Sequence, residues 1–173
     1  GDYTYIGIGP RLAVVNITNP EAPLVVGRTA VLSGIAYDIA LDGSYAYVTD
    51  GYNGSLHIID ISQPAAPVEV GFIHTTEYTW GLDVVGSYAY VTQGSSLCRV
   101  DVSTPGSPVW AGCFLADGSV MDVAVVGSHI YVITAYAGLY ILNLELSQVG
   151  YCNSSGNARG IAVAGDYAYV AEW

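Results

Sequence analysis

Two carboxylates, Asp38 and Asp122, stand at the same place in two copies of a phrase that recurs along this 173-residue chain; Gly81 and Gly160 take that place in two further copies. Carboxylates brought to one point can hold a hard cation through their oxygens. Taken singly, each instead bonds backbone N–H groups in a turn, and that is the role expected of them here. A second candidate is Thr75-Thr76-Glu77-Tyr78-Thr79-Trp80, where two aromatic rings lie beside a carboxylate. Such a mixture suits a sugar or a peptide ligand. The plainer reading is that Trp80, which aligns with Tyr37, belongs to the inner packing. Asp50-Gly51-Tyr52-Asn53-Gly54 looks like a fragment of a Ca²⁺ loop but has no ladder of spaced Asp and Asn ligands, so turn chemistry is expected. His57, His74 and His129 fall at three different places in the repeat, and no shared metal site is expected of them. Neither a Gly-x-Ser-x-Gly elbow nor an HExxH helix occurs, and the 21 glycines read as turn residues, not as a phosphate cradle. The residues nominate no catalytic group, no cofactor and no metal-ligand set.

What would position these groups is a tandem repeat. Leu12 to Gly27 (LAVVNITNPEAPLVVG) recurs as Leu56 to Gly71 (LHIIDISQPAAPVEVG) and as Leu97 to Gly112 (LCRVDVSTPGSPVWAG), with a shortened copy at Leu139 to Gly150 (LYILNLELSQVG). A second phrase, GSYAYVT at Gly43 to Thr49, precedes each of these and opens at Gly1, Gly43, Gly86, Gly127 and Gly165. The repeats are thus 1–42, 43–85, 86–126 and 127–164, with a partial fifth at 165–173. A period of about 42 residues, built from alternation and β-branched runs without a helical stripe, points to a propeller blade of four short strands. In the second repeat these are Tyr37 to Leu41 innermost, Tyr45 to Asp50, Leu56 to Ile61, and Val68 to Ile73 outermost. An Asp-Gly hairpin signal stands at Asp42-Gly43, and Pro64 and Pro67 lie in a turn where no N–H is missed. Tyr45 and Tyr47 share one face and Ala46 and Val48 the other, so stacked blades would set large residues against small. The fold expected is an all-β propeller of about four antiparallel blades, part of a larger propeller or assembly.

Composition narrows the partners. The chain is 52% hydrophobic and 11% charged, and no apolar run reaches the roughly 18 residues a membrane helix needs. Net charge is −11, with no Lys and only Arg11, Arg28, Arg99 and Arg159. Nucleic acid is disfavoured, because counterion release needs a basic footprint. An acidic, Tyr-rich, Lys-free chain suggests a secreted or cell-surface protein. Asn16-Ile17-Thr18, Asn53-Gly54-Ser55 and Asn153-Ser154-Ser155 match the N-glycosylation pattern, which matters only in a host that uses it. Of three cysteines, Cys98 and Cys113 fall on the third and fourth strands of one blade. A symmetric turn in which Ile61 faces Val68, and Val102 faces Val109, sets Cys98 opposite Cys113, close enough to bond. Cys152 is left over.

The phrases VVNITNPEAPLVVG (14–27), IIDISQPAAPVEVG (58–71) and RVDVSTPGSPVWAG (99–112), with GSYAYVTDG (43–51), resemble the LVIVD-repeat family, related to the YVTN propellers. The resemblance covers essentially the whole chain. It implies a β-propeller of the bacterial or archaeal cell surface, mostly without assigned activity. Asn16 and Asn143 stand where the family has the Asp seen at Asp60 and Asp101, and the fourth repeat lacks both prolines and is shorter by four residues.

The chain opens on a second strand with no initiator Met and is expected to be a piece of something longer. Gly1 to Gly9 and Gly165 to Trp173 are copies competing for one place. A four-bladed ring could close by pairing Ile161 to Ala164 with Tyr3 to Ile8, leaving the last strand surplus. That strand would be covered by further blades or by another copy of the protein. The function expected is a non-enzymatic, extracellular structural or interaction module whose partners are other protein chains or copies of itself through terminal strands. The alternative is a carbohydrate-binding propeller; an enzyme with its site in the central channel comes third.

Overall fold

The structure is a computed structural model that describes residues 1–153 and 156–172. Among these residues the chain forms strands and no helix. The first sheet is β1 (Tyr3–Gly7), β2 (Leu12–Asn16) and β3 (Leu24–Arg28). The second is β4 (Asp38–Asp42), β5 (Tyr45–Thr49), β6 (Ser55–Asp60) and β7 (Val68–His74), and the third is β8 (Leu82–Val85), β9 (Tyr88–Gln93), β10 (Ser96–Asp101) and β11 (Val109–Leu115). The fourth holds β12 (Val120–Val126), β13 (His129–Thr134), β14 (Gly138–Asn143) and β15 (Gln148–Cys152), and the last β16 (Ala158–Ala164) and β17 (Tyr167–Glu172). Strands adjacent in sequence pair antiparallel in every sheet. The strands β4, β8, β12 and β16 lie beside one another in series, so each of these four sheets is a blade with its first strand innermost. β16 pairs with β17, and β1 pairs with β2 alone, so the ring closure between Ile161 to Ala164 and Tyr3 to Ile8 is not formed.

Between blades, large side chains meet small ones. Tyr47 of the second blade is buried with Leu82, Val84, Ala89 and Val91 of the third. Tyr5 packs in the same way on Ala46 and Val48, and Tyr90 on Ile130 and Val132. This recurrence at the blade period gives the paired tyrosines of the inner sheets a packing role.

The turn between third and fourth strands is held by an Asx motif. Oδ1 of Asn16, Asp60, Asp101 and Asn143 accepts the N–H two residues on, from Thr18, Ser62, Ser103 and Glu145. Only an acceptor oxygen is needed, which is why Asn serves as well as Asp.

The strands leave this turn one residue out of the symmetric register: Asp60 faces Val68 and Asp101 faces Val109. A one-residue bulge in the outer strand then restores the offset, bringing Cys98 opposite Cys113. The two cysteines are bonded and Cys152 is free. The same register shift stands in the other three complete third–fourth pairings, next to Gly27, Gly71 and Gly150.

Candidate functional site

The loop from the second blade to the third builds one face of the molecule. Asp50 anchors the preceding turn: its Oδ1 accepts the Ser55 N–H at 2.8 Å, while Gly51 and Gly54 adopt φ values of 62° and 63°. The Asp50 to Gly54 segment is therefore a tight turn between β5 and β6, and it lifts Tyr52 out of the sheet. The next loop is laced to it by Thr75 N–H to Gly54 O (2.8 Å) and Thr79 N–H to Gly51 O (3.0 Å). Thr92 Oγ1 accepts the Trp80 and Gly81 N–H groups at 2.8 and 2.9 Å. These bonds gather four rings. Trp80 lies 4.8 Å from Tyr37 and 5.3 Å from Tyr52, centroid to centroid and edge to face, and Tyr78 is 5.5 Å from Tyr52 and 6.0 Å from Trp80. Trp80 is half-buried, but Tyr37, Tyr52 and Tyr78 are 58%, 71% and 51% exposed. Trp80 thus sits in a surface cluster just before β8, which corrects the expectation that it belongs to the inner packing.

Two cavities flank the rings. One of about 270 Å³ opens at the inner strands between Tyr37, Trp80, Asp38, Asp122 and Arg159, with Gly81 and Met121. The other, about 200 Å³, is lined by Tyr52, Tyr78, Asn53, Glu77 and the Gly54, Thr75 and Thr76 loop residues.

Asp38 and Asp122 do not cap turns. Each reaches from its inner strand to the next one: Asp38 Oδ2 accepts the Leu82 N–H at 2.8 Å and Asp122 Oδ2 the Ile161 N–H at 2.9 Å. Oδ1 of each takes the N–H of the following residue, Ile39 or Val123. Asp83 does the same between the third and fourth blades, accepting from Val84 and Val125 at 2.8 and 2.6 Å. The bridges satisfy edge N–H groups that have no strand partner. Asp83 stands two residues after the aligned position because a side chain at Gly81 would collide with Asp122, 2.6 Å from an added Cβ. On a strand, a step of two keeps the same face. Burial raises the Asp38 and Asp122 pKa values above the usual carboxylate range, against the lowering effect of these hydrogen bonds. Among the described residues no group of three or more His, Cys, Asp or Glu side chains could hold a metal ion.

A separate buried network was not legible in the residue spacing. His57 Nδ1 lies 2.6 Å from Glu69 Oε1, and its Nε2 lies 3.3 Å from both Asp50 Oδ2 and Ser33 Oγ. His57 and His74 line one cavity of about 200 Å³, each with its ring near Phe72, while His129 lies on another blade. Ser33, His57 and Glu69 have the order of a nucleophile, base and acid. Yet Ser33 donates its hydroxyl to Asp50 Oδ2 at 3.0 Å, and carboxylates on both sides of the ring favour the protonated imidazole, the form that cannot take a proton. The network ties the loop carrying Ser33 to the second blade. The Asn153-Ser154-Ser155 pattern lies partly outside the described residues.

Blades of four antiparallel strands stacked by their faces around serial inner strands define a β-propeller. The LVIVD repeat model matches residues 1–31, 33–75, 77–115, 117–144 and 155–173, and the chain belongs to the LVIVD repeat family. Among solved structures it is similar to the Swd1 β-propeller domain from Myceliophteria thermophila (TM-score 0.79, 12% identity, 94% of this chain and 55% of that one). It is also similar to BamB from Moraxella catarrhalis (0.76, 15%, 97% and 51%) and to the computationally designed Ika8 protein (0.82, 7%, 99% and 53%). At these identities the likeness is one of fold alone, and the chain spans about half the length of each of these structures. No curated protein matches the sequence.

Proposed function

We propose that this chain is a non-enzymatic interaction module of the cell exterior whose binding face is the aromatic mouth around Trp80. The observation that carries the reading is the cluster of exposed Tyr37, Tyr52 and Tyr78 around the half-buried Trp80, held in place by backbone hydrogen bonds. Pre-set aromatic anchors supply binding energy at low entropic cost. An exterior location is supported by the Cys98–Cys113 disulfide, which persists in oxidising compartments. A photo-crosslinking residue at position 52 should capture a protein partner, whereas one at the exposed Tyr151 on β15 should not. Equal capture at both positions would remove the mouth from the reading. A membrane-impermeant thiol label should reach the exposed Cys152 on intact cells; protection there would refute the exterior location.

Carbohydrate is the second reading, favoured by the cavity in which Asn53, Thr75, Thr76 and Glu77 stand beside the Tyr52 and Tyr78 rings. Glycan-array binding that disappears in Trp80→Ala would establish it.

A further inference from the structure

Resting on the mouth as the binding face, we propose that its ligand is a dibasic peptide segment of a partner protein. One cationic side chain enters the cavity beside Trp80 and Asp38, the other the cavity beside Tyr52 and Glu77, and the link between them crosses the aromatic ridge.

The rings are too close for a group to sit among them. Their centroids are 4.8 to 6.0 Å apart, and they fill one another's edges. A ligand must therefore lie over the ridge or beside it, and room exists on both sides, about 270 and 200 Å³. Each side is acidic. Asp38 and Asp122 line the first cavity and Glu77 the second. Arg159 lines the first cavity as well, so one guanidinium stands there with two carboxylates. Neither Asp38 nor Glu77 forms an ion pair among the described residues, and the chain contains no Lys at all. The Asp38 oxygens already accept backbone N–H groups, so Asp38 contributes field and spare lone pairs in place of a coordination shell. Glu77 is exposed, and its stem lies against Gly94, 3.1 to 3.2 Å from where a Cβ would stand.

Charge decides among ligands. An ammonium or guanidinium is attracted to the faces of Tyr and Trp and to a carboxylate beside them. An acidic ligand is repelled at both cavities, and a neutral one uses the rings but neither charge. Two acidic cavities separated by an apolar ridge therefore select two positive groups joined by a stem or backbone that the rings can cover. Such a two-point ligand gains from the second site without new entropy of encounter.

The test is calorimetric titration of the whole chain with blocked peptides carrying two arginines at increasing alanine spacing, with single-arginine, neutral and glutamate counterparts. At the best spacing the dibasic peptide should bind about tenfold tighter than the single-arginine one, and added salt should erode the difference. Glu77→Gln should abolish that advantage, bringing the dibasic peptide to the affinity of the single-arginine one; Tyr52→Leu should weaken both by about threefold or more. Both positions are exposed, and an unchanged melting curve confirms the fold of each variant. Equal binding of neutral or glutamate peptides, or a dibasic advantage that survives Glu77→Gln, overturns the proposal. Spermidine binding as tightly as the best peptide would overturn the peptide in favour of a free polycation. If position 52 crosslinks a partner but no basic peptide binds, the binding face stands and the dibasic ligand is wrong. If neither occurs, both are wrong.

Discussion

The junction of the second and third blades and that of the third and fourth do the same job with different means. At the first, the proline turn of the third blade lies on the bulge glycine of the second: a Cβ on Gly71 would stand 2.1 Å from Pro105 O. Gly27 receives Pro64 O at the same distance one blade earlier. At the later junction the turn is short and has no proline. Nothing lies within 3.7 Å of a Cβ on Gly112, where Leu146 is the nearest contact. There Arg99 spans the gap. Its Nη1 donates to Leu144 O at 2.5 Å, its Nη2 to Ala111 O at 3.4 Å, and its guanidinium lies 4.7 Å over the Tyr88 ring. The aligned residue on the second blade is the aliphatic Ile58. A backbone seat leaves no slack, whereas a long cation tolerates a gap but buries an Nε that finds no hydrogen-bond partner among the described residues.

The largest expected effect would break the seated junction. Gly71→Ala should cost about 3 kcal/mol, because both colliding groups are backbone and one blade must move. Gly150→Ala, at the matching place on the fourth blade, meets only Ile141 at 3.3 Å and should cost under about 1 kcal/mol. Urea unfolding of the two variants compares them directly, and equal losses would show that the turn does not use the glycine. Next in size is the bridged junction. Arg99→Lys should lose about 2 kcal/mol, since one ammonium cannot serve both carbonyls and the ring. Arg99→Ile, which copies the second blade, should do no better if the shortened turn requires the cation; thermal melts of both decide this.

The smallest effect lies away from both junctions, in the charged network that ties the loop carrying Ser33 to the second blade. Burial pulls the His57 pKa down, but hydrogen bonds to Asp50 and Glu69 outweigh it and the value lies above 6.5. The folded protein thus holds this proton more tightly than the unfolded chain. The contribution is complete below pH 6.5 and drains away as pH rises through the folded value. Burial pushes Asp50 up, yet its bonds to His57 and Ser33 bring it below 3.8, so its share is complete above that and is lost as pH falls through its folded value. His57→Gln should lose about 1–2 kcal/mol at pH 5.5, and the loss should narrow in alkaline solution. A gap between wild type and variant that does not change with pH would show that His57 acts by shape alone.

Much of this fold was legible because its signals are local. Repeat period, strand alternation and the Asx residue at each third-strand end all read directly from residue type and spacing. The Cys98–Cys113 pairing was legible too, although the turn assumed for it is one residue off and the bulge restores the count. What escaped involves neighbours across strands and blades. Asp83 stands off the aligned position, although a step of two on a strand keeps the face. Tyr52 lies inside a Gly-rich segment whose residue types signal only a turn. His57, Asp50, Glu69 and Ser33 meet across three chain segments and a bulge, and no spacing rule joins them.

The carboxylate bridges have a direction. Asp38, Asp83 and Asp122 each reach from one blade to a backbone N–H of the blade that follows it in the chain, and Gly27 and Gly71 likewise await a turn made later. During synthesis, therefore, each emerging blade finds a finished template behind it and completes that template as it docks. Nearest-neighbour coupling of this kind lets docking advance from the amino end toward the carboxyl end as the chain is made. The contacts that set its pace span about one repeat of sequence, which keeps the loop-closure cost of every step nearly the same.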